Sequence, residues 1–374
     1  MTPTAAMPLA TTPMNAAQMN TAQMNATQMA GVPMTGAPAR VAPAPDFAHL
    51  IRLSDDTGLF EHARHAIVRR EHGYCTDDVA RGLLVTSREP HPSAEIQRLS
   101  ECYLAFLTHA QNAVGAFHNR MGFDRRWTDQ PGLGDWWGRA LWGLGTAAVR
   151  NPAPWIRQEA LVAFATGAGC RSPAPHAMAF AGLGAAEVLR VHPDDEAAAA
   201  LLGDAAAAVG VPDDSPTWPW PQPRLTYANA ALAEVVIAAG DLLDDERLLD
   251  RGLRMLTWLS DIQVVDDRLS VLPVAGWQRG TARLRHDQQP IEVAALADAA
   301  VTAADVTGDR AWLRLVGQAA GWFLGANDIG VPMWDRATGG GYDGLTLQGP
   351  NANQGAESTL ALISTLQHAR ALGR

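Results

Sequence analysis

The chain has 374 residues, of which 47% are hydrophobic and 18% are charged, a balance that allows a sizeable buried core. Its formal net charge of −10 argues against nucleic-acid binding, because such binding needs a basic surface and the sequence shows none. The three cysteines are widely spaced and indicate neither a disulfide framework nor a metal-ligand motif. No apolar run approaches the roughly 18 residues of a membrane span, and the N-terminus lacks a signal-peptide pattern, so we expect a cytoplasmic protein that does not bind membranes.

Residues 1–44 differ in composition from the rest of the chain. The stretch MNAAQMNTAQMNATQM repeats a five-residue unit with Met14, Met19, Met24 and Met29 in register, and APARVAPAP follows. A five-residue period matches neither a helix nor a strand, and the segment is poor in residues that build a core. We therefore expect a disordered, low-complexity tail with no catalytic role, and a folded domain over residues 45–374.

From residue 45 onward, helical patterns alternate with short connections rich in glycine and proline. Pro154 and Pro175 stand at first-turn positions, and Gly210 and Gly308 follow helical segments. The hydrophobic periodicity predicts helices near 46–53, 77–88, 94–119, 135–150, 153–169, 174–191, 195–209, 225–242, 246–262, 290–307, 310–325 and 357–372.

Several of these helices are apolar on nearly all sides, as in ALVAFATGAG, HAMAFAGLGAA and LAEVVIAAG. A helix without a polar face must be covered all round, and small residues such as Gly182 and Gly184 allow close helix packing. About twelve helices with such an inner set predict an all-α fold, one (α/α)6 barrel built as a toroid of six helical hairpins. An α-solenoid is the main alternative, but no 34- or 40-residue repeat is visible.

The longer connections, at 54–76, 120–134, 211–224, 263–289 and 326–356, are expected to carry function, because long loops on a compact scaffold usually do. The first of them leads into GYCTDDVARGLL, where Asp77 and Asp78 stand side by side at the start of a helix. Helix capping by Thr76 and the helix dipole account for one acidic residue. We expect the second carboxylate to face a substrate cleft.

Two further loops carry aromatic and charged residues. RMGFDRRWTDQPGLG and the helix after it contain Asp124, Trp127 and Arg139, which form either a turn joined by Arg–Asp pairs or part of a site. In TWPWPQPRLTYANA, aromatic residues alternate with prolines. They form either a flat wall on which a sugar ring stacks or an aromatic lid over helix ends.

The last two loops are rich in polar groups. RGTARLRHDQQPIE contains the cluster His286, Asp287 and Gln289, although Asp287 is also a helix-cap candidate. The loop at 326–356 contains a triple glycine and runs into the final helix, but no Lys-Ser/Thr follows, so it is not a phosphate loop. HExxH, GxSxG and CxxC motifs are also absent from the sequence, which argues against metalloprotease, α/β-hydrolase and thioredoxin chemistry.

Loops at one end of a helical toroid line a common cleft, so these acidic residues are expected to form a ring of carboxylates. Paired carboxylates are what glycoside hydrolysis requires, one as acid and one as base. We expect Asp78 and Asp287 to form this pair, with Asp124 and Glu357 as further candidates, and an oligosaccharide as the substrate. We predict no metal site and no cofactor. The residues expected to bind substrate are Asp77, Trp127, Arg139, Trp218, Trp220, Tyr227, His286, Gln289, Asp343 and Asn353.

Six motifs, in chain order, carry a resemblance to a known family: GYCTDDVARGLL, FHNRMGFDRRW, GRALWGLGTA, TWPWPQPRLTYANA, DQQPIEVAAL and GYDGLTLQGPNANQGAESTLAL. Together they resemble a bacterial family of the six-hairpin glycosidase-like superfamily, whose members are often labelled glycosyltransferase or found beside glycosyltransferases. The resemblance implies an (α/α)6 fold, a carbohydrate ligand and a functional link to a glycosyltransferase. It does not imply a nucleotide-sugar donor site, and the sequence has no Rossmann-type glycine turn.

Two motifs depart from the pattern of that family. The family motif LTYDNA is LTYANA here, with Ala228 in the acidic position. In GLGDWWGRALW, Trp136 and Trp137 stand where the family has small polar residues. We therefore expect a changed activity or substrate preference.

Two other functions are compatible with these sequence features. A sugar 2-epimerase shares the barrel but transfers protons through histidines, for which His118, His176 and His286 are the candidates. A non-catalytic carbohydrate-binding partner of a glycosyltransferase would account for the missing acidic group at position 228.

Overall fold

The computed structural model describes residues 42–213 and 215–372, so the predicted tail falls outside the described residues except for 42–44. The described part contains twelve α-helices: α1 (Ala48–Arg52), α2 (Thr76–Ser87), α3 (Ala94–Ala110), α4 (Asp135–Arg150), α5 (Pro154–Ala168), α6 (Pro175–Leu189), α7 (Glu196–Val209), α8 (Asn229–Leu242), α9 (Glu246–Asp261), α10 (Pro290–Thr307), α11 (Leu313–Phe323) and α12 (Ala356–Leu372).

The helices form two concentric layers. The six even-numbered helices each pack against the next, and α12 returns to pack against α2, which closes an inner ring. The odd-numbered helices lie outside this ring. Helices α6, α8 and α10 are buried along almost their whole length, because they are covered on both sides. The predicted (α/α)6 barrel is therefore confirmed.

Glycine allows the inner helices to approach one another closely. A Cβ atom on Gly138 of α4 would lie 2.1 Å from the carbonyl oxygen of Ala177, and one on Gly184 of α6 would lie 2.2 Å from that of Leu141. Both distances are too short for any side chain. The backbones of α4 and α6 are thus in direct contact, and the ring is narrow at this point.

The ten short strands of the described part form five antiparallel pairs within the loops. They are β1 (Ala63–Arg64) with β2 (Ile67–Val68), β3 (Tyr74–Cys75) with β4 (Arg120–Met121), β5 (Arg224–Leu225) with β8 (Trp277–Gln278), β6 (Val264–Val265) with β7 (Arg268–Leu269), and β9 (Leu345–Thr346) with β10 (Gly349–Pro350). Because β3 and β5 lie just before inner helices, these pairs fix the chain at the point where α2 and α8 begin.

Three helix boundaries differ from the expected ones by three residues or more. The predicted helix 94–119 ends at Ala110, because the side chain of Asn112 accepts hydrogen bonds from Val114 and Ala116 and forms a turn. The helix predicted from residue 225 begins at Asn229, because β5 precedes it. The helix predicted over 310–325 is a 3-10 turn at Arg310–Trp312 followed by α11.

Thr76 does not cap α2 as expected. The helix begins at Thr76 itself, and its hydroxyl donates to the carbonyl oxygen of His118 at 2.6 Å. No helix in the described residues is long and apolar enough to span a membrane.

Candidate active site

A cleft lies where the inner helices begin. Residues from the first turns of α2, α4, α10 and α12, and from the residues just before α8, line this one opening. Its volume is about 370 Å³, enough for one or two sugar rings. It is lined by Glu61, His62, Cys75, Asp77, Asp78, Arg81, Asn119, Arg120, Asp135, Trp136, Arg139, Tyr227, Gln289, Ile291, Asp343, Gly355 and Glu357.

Asp78 is the most deeply buried acidic residue of the cleft. It is only 4% exposed, and burial raises its pKa well above the usual range. The neighbouring carboxylates of Glu357 and Glu61 raise the pKa further. Both effects favour the neutral, protonated form of Asp78, and they outweigh the opposing charges of Arg120 and Arg139.

Arg81 joins three carboxyl groups at the centre of the cleft. Its guanidinium donates to Asp77 and, at 2.8 Å, to Oε2 of Glu357, and its Nη2 lies 3.5 Å from Oδ1 of Asp78. Asp77 and Arg81 are four residues apart on α2, a spacing that lets their side chains meet. Arg81 thereby links α2 with α12, and the Glu357 carboxylate binds the same guanidinium that lies beside Asp78.

A second guanidinium lies beside the first. Nε of Arg139 is 3.6 Å from Oδ1 of Asp77, and the guanidinium stacks on the ring of Phe180 at 3.7 Å. Burial, and then repulsion from Arg81, lower the pKa of Arg139 to about 9. Among the described residues the Nε–H of Arg139 has no hydrogen-bond acceptor.

Asp78 also belongs to a second compact group, together with Glu61 and Cys75. Pairing of Cys75 with Arg120 across β3 and β4 brings them together, and one possible ligand atom from each lies within 4.8 Å of the others. A thiol and two carboxylates are donors that zinc accepts. The Arg120 guanidinium, however, donates to Glu61 and competes for that carboxylate.

An aromatic wall closes the cleft near α4 and α8. The hydroxyl of Tyr227 donates to the carboxylate of Asp135, and the ring of His176 stacks on Tyr227 with centroids 4.4 Å apart. The indole N–H of Trp136 donates to the carbonyl oxygen of Phe117 at 2.7 Å. Two aromatic rings are thus held in fixed orientations in the lining, as stacking against a sugar requires.

Asp343 and Gln289 complete the cleft on the side of α10 and α12. Burial raises the pKa of Asp343, and the nearby Glu357 raises it further. Asn353, predicted to bind substrate, does not line the cleft. Its amide lies 3.3 Å from Nδ1 of His62, so it orients a residue that does.

The structure therefore groups about half of the predicted site residues. The cleft lining contains Asp77, Asp78, Arg139, Tyr227, Gln289, Asp343 and Glu357, and it omits Asp124, Asp287, Trp127, Trp218, Trp220, His286 and Asn353.

The two carboxylates outside the cleft lie on exposed turns. Asp287 is exposed before α10, so the geometry does not pair it with Asp78. Asp124 lies in the exposed turn after β4, where it accepts a hydrogen bond from the amide of Arg126. Within the described residues, the side chain of His286 has a single hydrogen-bond contact, between its Nδ1 and the carbonyl oxygen of Leu345 at 3.4 Å.

The predicted tryptophan wall packs on outer helices instead of on the cleft. Trp218 is 3% exposed and packs edge-to-face on Trp258 of α9, with Trp220 beside it. Trp127 stacks on His118, 4.9 Å away, and its indole N–H donates to His109 of α3. These contacts match the interpretation of the tryptophans as an aromatic lid over helix ends.

Sequence reasoning missed several residues of the lining. Glu61 and His62 come from an early loop with no helical signal, and Arg120 comes from β4. Arg81 had a visible signal, because it stands four residues after Asp77 on the same helix. The other three came only through tertiary pairing of distant segments.

Below the cleft, along the barrel axis, lies a smaller cavity that we call the axial pit. Its volume is about 40 Å³. It shares Arg81, Arg139, Ile291 and Glu357 with the cleft, so these four residues form its mouth. The rest of the lining consists of Leu84, Val85, Trp142, Phe180, Ala228, Ala231, Ala294, Ala295, Asp298, Leu360, Ala361 and Ser364.

Comparison with known proteins supports the fold. No known family model matches the sequence, and no curated protein matches it. A sugar epimerase from a ruminal bacterium is 13% identical with a TM-score of 0.65, over 86% of this chain and 95% of that one. The cellobiose 2-epimerase of Spirochaeta thermophila is 12% identical with a TM-score of 0.65, over 96% of this chain and 100% of that one.

An α-mannanase of glycoside hydrolase family 76 from Bacteroides thetaiotaomicron is 11% identical with a TM-score of 0.57, over 80% of this chain and 87% of that one. These structures are carbohydrate-active enzymes with the same helical toroid. At such low identity the likeness concerns the fold alone, and it agrees with the (α/α)6 barrel of this chain.

Proposed function

We propose that the protein is a glycoside hydrolase that cleaves a short oligosaccharide, with Asp78 as the general acid and Glu357 as the second carboxylate. The observation that carries the proposal is the pairing of these residues through Arg81 at the centre of the cleft. Hydrolysis needs one carboxyl group that is protonated and one that is ionised.

The two residues differ in environment as this chemistry requires. Asp78 is almost fully buried, and its raised pKa suits a proton donor to the leaving oxygen. The Glu357 side chain is 31% exposed and accepts a hydrogen bond from Arg81, so it can meet a water molecule or the anomeric carbon. Asp77 would position Arg81 and Arg139, and Trp136 and Tyr227 would hold the sugar ring.

The test is hydrolysis of mannose-, glucose- and galactose-linked disaccharides, measured as released reducing sugar. Asp78→Asn is expected to lower kcat/KM by about 10²- to 10⁴-fold, because it removes the proton donor. It should also remove the alkaline limb of the pH profile, since wild-type activity falls when Asp78 loses its proton. The anomer of the first product, read by NMR, tells whether the reaction inverts or retains configuration.

Asp287→Asn is the matched control, because it makes the same chemical change on an exposed turn outside the cleft. Its activity should equal that of the wild type. Equal activity of wild type and Asp78→Asn, or an equal loss in both variants, would contradict the role of Asp78.

A sugar 2-epimerase is the second candidate, favoured because the epimerases have TM-scores of 0.65 and the mannanase 0.57. Epimerisation at C2 needs a base that removes the C2 proton. Of the described histidines only His62 lines the cleft, whereas His118, His176 and His286 do not. Incubation of cellobiose and mannose in D₂O separates the two reactions, because an epimerase introduces deuterium at C2 without releasing a second sugar.

A third function, carbohydrate binding in support of a cytoplasmic glycosyltransferase, is favoured by Ala228, which carries no acidic group at the start of α8. In that case the cleft would bind oligosaccharides in calorimetry without turnover. Detectable hydrolysis or deuterium exchange would exclude it.

A further inference from the structure

The axial pit is an apolar space directly below the proposed catalytic carboxylates. Its wall includes Ala228 just before α8, Ala231 of α8 and Ala294 of α10, whose side chains are small. Its volume of about 40 Å³ exceeds the roughly 10–15 Å³ that one water molecule needs. The pit can therefore hold a group of the size of a methyl or acetyl.

The polar groups at the bottom of the pit already have partners. Asp298 accepts a hydrogen bond from Arg88 at 2.7 Å, and Ser364 accepts one from Arg88 at 3.0 Å. His368 lies 2.7 Å from the same oxygen of Asp298. These groups do not need a ligand, so the pit presents mainly hydrocarbon to whatever enters it.

The mouth of the pit, in contrast, is mostly charged. Arg139 is only 6% exposed, yet its Nε–H has no acceptor among the described residues. Oδ1 of Asp77, 3.6 Å away, is likewise buried without a hydrogen-bond donor. A buried guanidinium N–H without a hydrogen bond is costly unless a ligand supplies the acceptor.

The charges at the mouth indicate a neutral acceptor. Arg81 and Arg139 face the carboxyl groups of Asp77, Asp78 and Glu357, so acidic groups already match both positive charges. An anionic ligand group would add an unbalanced charge beside the catalytic carboxylates. An amide carbonyl accepts a strong hydrogen bond from a guanidinium without this cost.

We propose that the substrate is an N-acetylhexosamine glycoside, whose acetamido methyl group occupies the axial pit while its carbonyl oxygen accepts a hydrogen bond from Arg139. The inference rests on the proposed carbohydrate function. It joins two features that a plain hexose leaves unused, the apolar cavity and the Arg139 donor at its mouth, which is ion-paired but has no hydrogen bond.

The test is calorimetric binding of monosaccharides to the full-length protein, which needs no catalysis. N-acetylglucosamine, N-acetylgalactosamine and N-acetylmannosamine are compared with glucose, galactose and mannose. We expect at least one acetamido sugar to bind about tenfold more tightly than its parent hexose, because it buries a methyl group and pairs a charged donor. Replacing N-acetyl by N-butanoyl should abolish the gain, since the longer chain exceeds the pit.

Ala228→Asp tests the pit itself. It places a carboxylate in the lining, and aspartate tolerates the left-handed backbone of this position, where φ is +43°. We expect the acetamido preference to disappear while hexose binding remains. Ala105→Asp, on the exposed face of α3, is the control and should keep the preference.

Equal affinity for acetamido sugars and parent hexoses in the wild type would overturn the inference, as would a failure to bind any of these sugars. A preference for the 6-deoxy sugars fucose and rhamnose would also overturn it, because they offer a methyl group without the carbonyl. If the wild type prefers acetamido sugars but hydrolyses none of its test substrates, the proposed hydrolase function is refuted and the inference about the pit still holds.

Discussion

Glu292 shows how burial at the start of an inner helix changes the ionisation of a carboxyl group. It is 3% exposed in the first turn of α10 and accepts a hydrogen bond from Asn229 at 3.2 Å. Burial raises its pKa to about 7 from an ordinary 4.5, although the bond from Asn229 works in the opposite direction. Its other carboxylate oxygen has no partner among the described residues.

This raised pKa predicts a pH-dependent effect on stability. Below about pH 4.5 Glu292 is neutral in both states, and between pH 4.5 and 7 only the unfolded state ionises, so stability falls as pH rises. Glu292→Gln removes this ionisation. We expect the variant to match the wild type at pH 4 and to exceed it by up to about 3 kcal/mol at pH 8 in urea unfolding.

Glu159→Gln, on the exposed face of α5, is the control and should show no such trend. A constant difference between Glu292→Gln and the wild type across this pH range would contradict the predicted ionisation.

At the scale of elements, the contact between α4 and α6 is decided by glycine. A side chain on Gly184 would meet the backbone oxygen of Leu141 at 2.2 Å, and backbone atoms cannot move aside as a flexible side chain can. Gly317 on α11 is exposed, and a Cβ atom there would meet nothing within 4 Å. Two helical glycines in one chain therefore have opposite roles.

Alanine substitution of these two glycines tests their roles. Gly184→Ala is expected to lower the free energy of unfolding by about 3 kcal/mol, because α4 and α6 must move apart. Gly317→Ala should raise it by about 0.5–1 kcal/mol, since alanine favours the helix and restricts the unfolded chain. Chemical denaturation of both variants checks this. A tolerated Gly184→Ala would show that the two helices are not in backbone contact.

At the scale of the whole molecule, the barrel is closed by a buried ion-pair network. Arg88 follows α2 and pairs with Asp298 of α10, and His368 of α12 contacts the same carboxylate. Burial alone would raise the pKa of Asp298, but Arg88 and His368 more than offset this and lower it. The network thus links the first inner helix with the last two.

Removal of Arg88 should therefore weaken the ring. Arg88→Ala leaves Asp298 without its main counter-charge, and we expect a loss of about 3–5 kcal/mol in unfolding free energy. The double variant Arg88→Ala/Asp298→Ala should recover part of this loss, because no unpaired charge remains. The same measurement on Arg254→Ala, which breaks an ion pair with Asp250 that is about two-thirds exposed, should change stability by less than about 0.5 kcal/mol. Equal effects of Arg88→Ala and Arg254→Ala would show that the network does not hold the ring closed.

The sequence by itself determined the helices and their arrangement in two layers. Period 3.6, proline and glycine at helix ends, and segments such as HAMAFAGLGAA that are apolar all round are local signals, and each depends on residues within one turn or two. They predicted the barrel and also placed Asp77, Asp78 and Glu357 at helix starts, where they line the cleft. The boundaries that differed, as at Asn112, depended on turns formed by single side chains.

Only the tertiary structure decided which loop residues meet. Asp287 and Asp78 looked equivalent as acidic residues at helix starts, yet one is exposed and the other buried, because exposure depends on neighbours far away in the chain. The tryptophans of TWPWPQP face an outer helix instead of the cleft for the same reason. Glu61, Arg120 and the axial pit arise from contacts between segments that are distant in sequence, and a local pattern carries no information about such contacts.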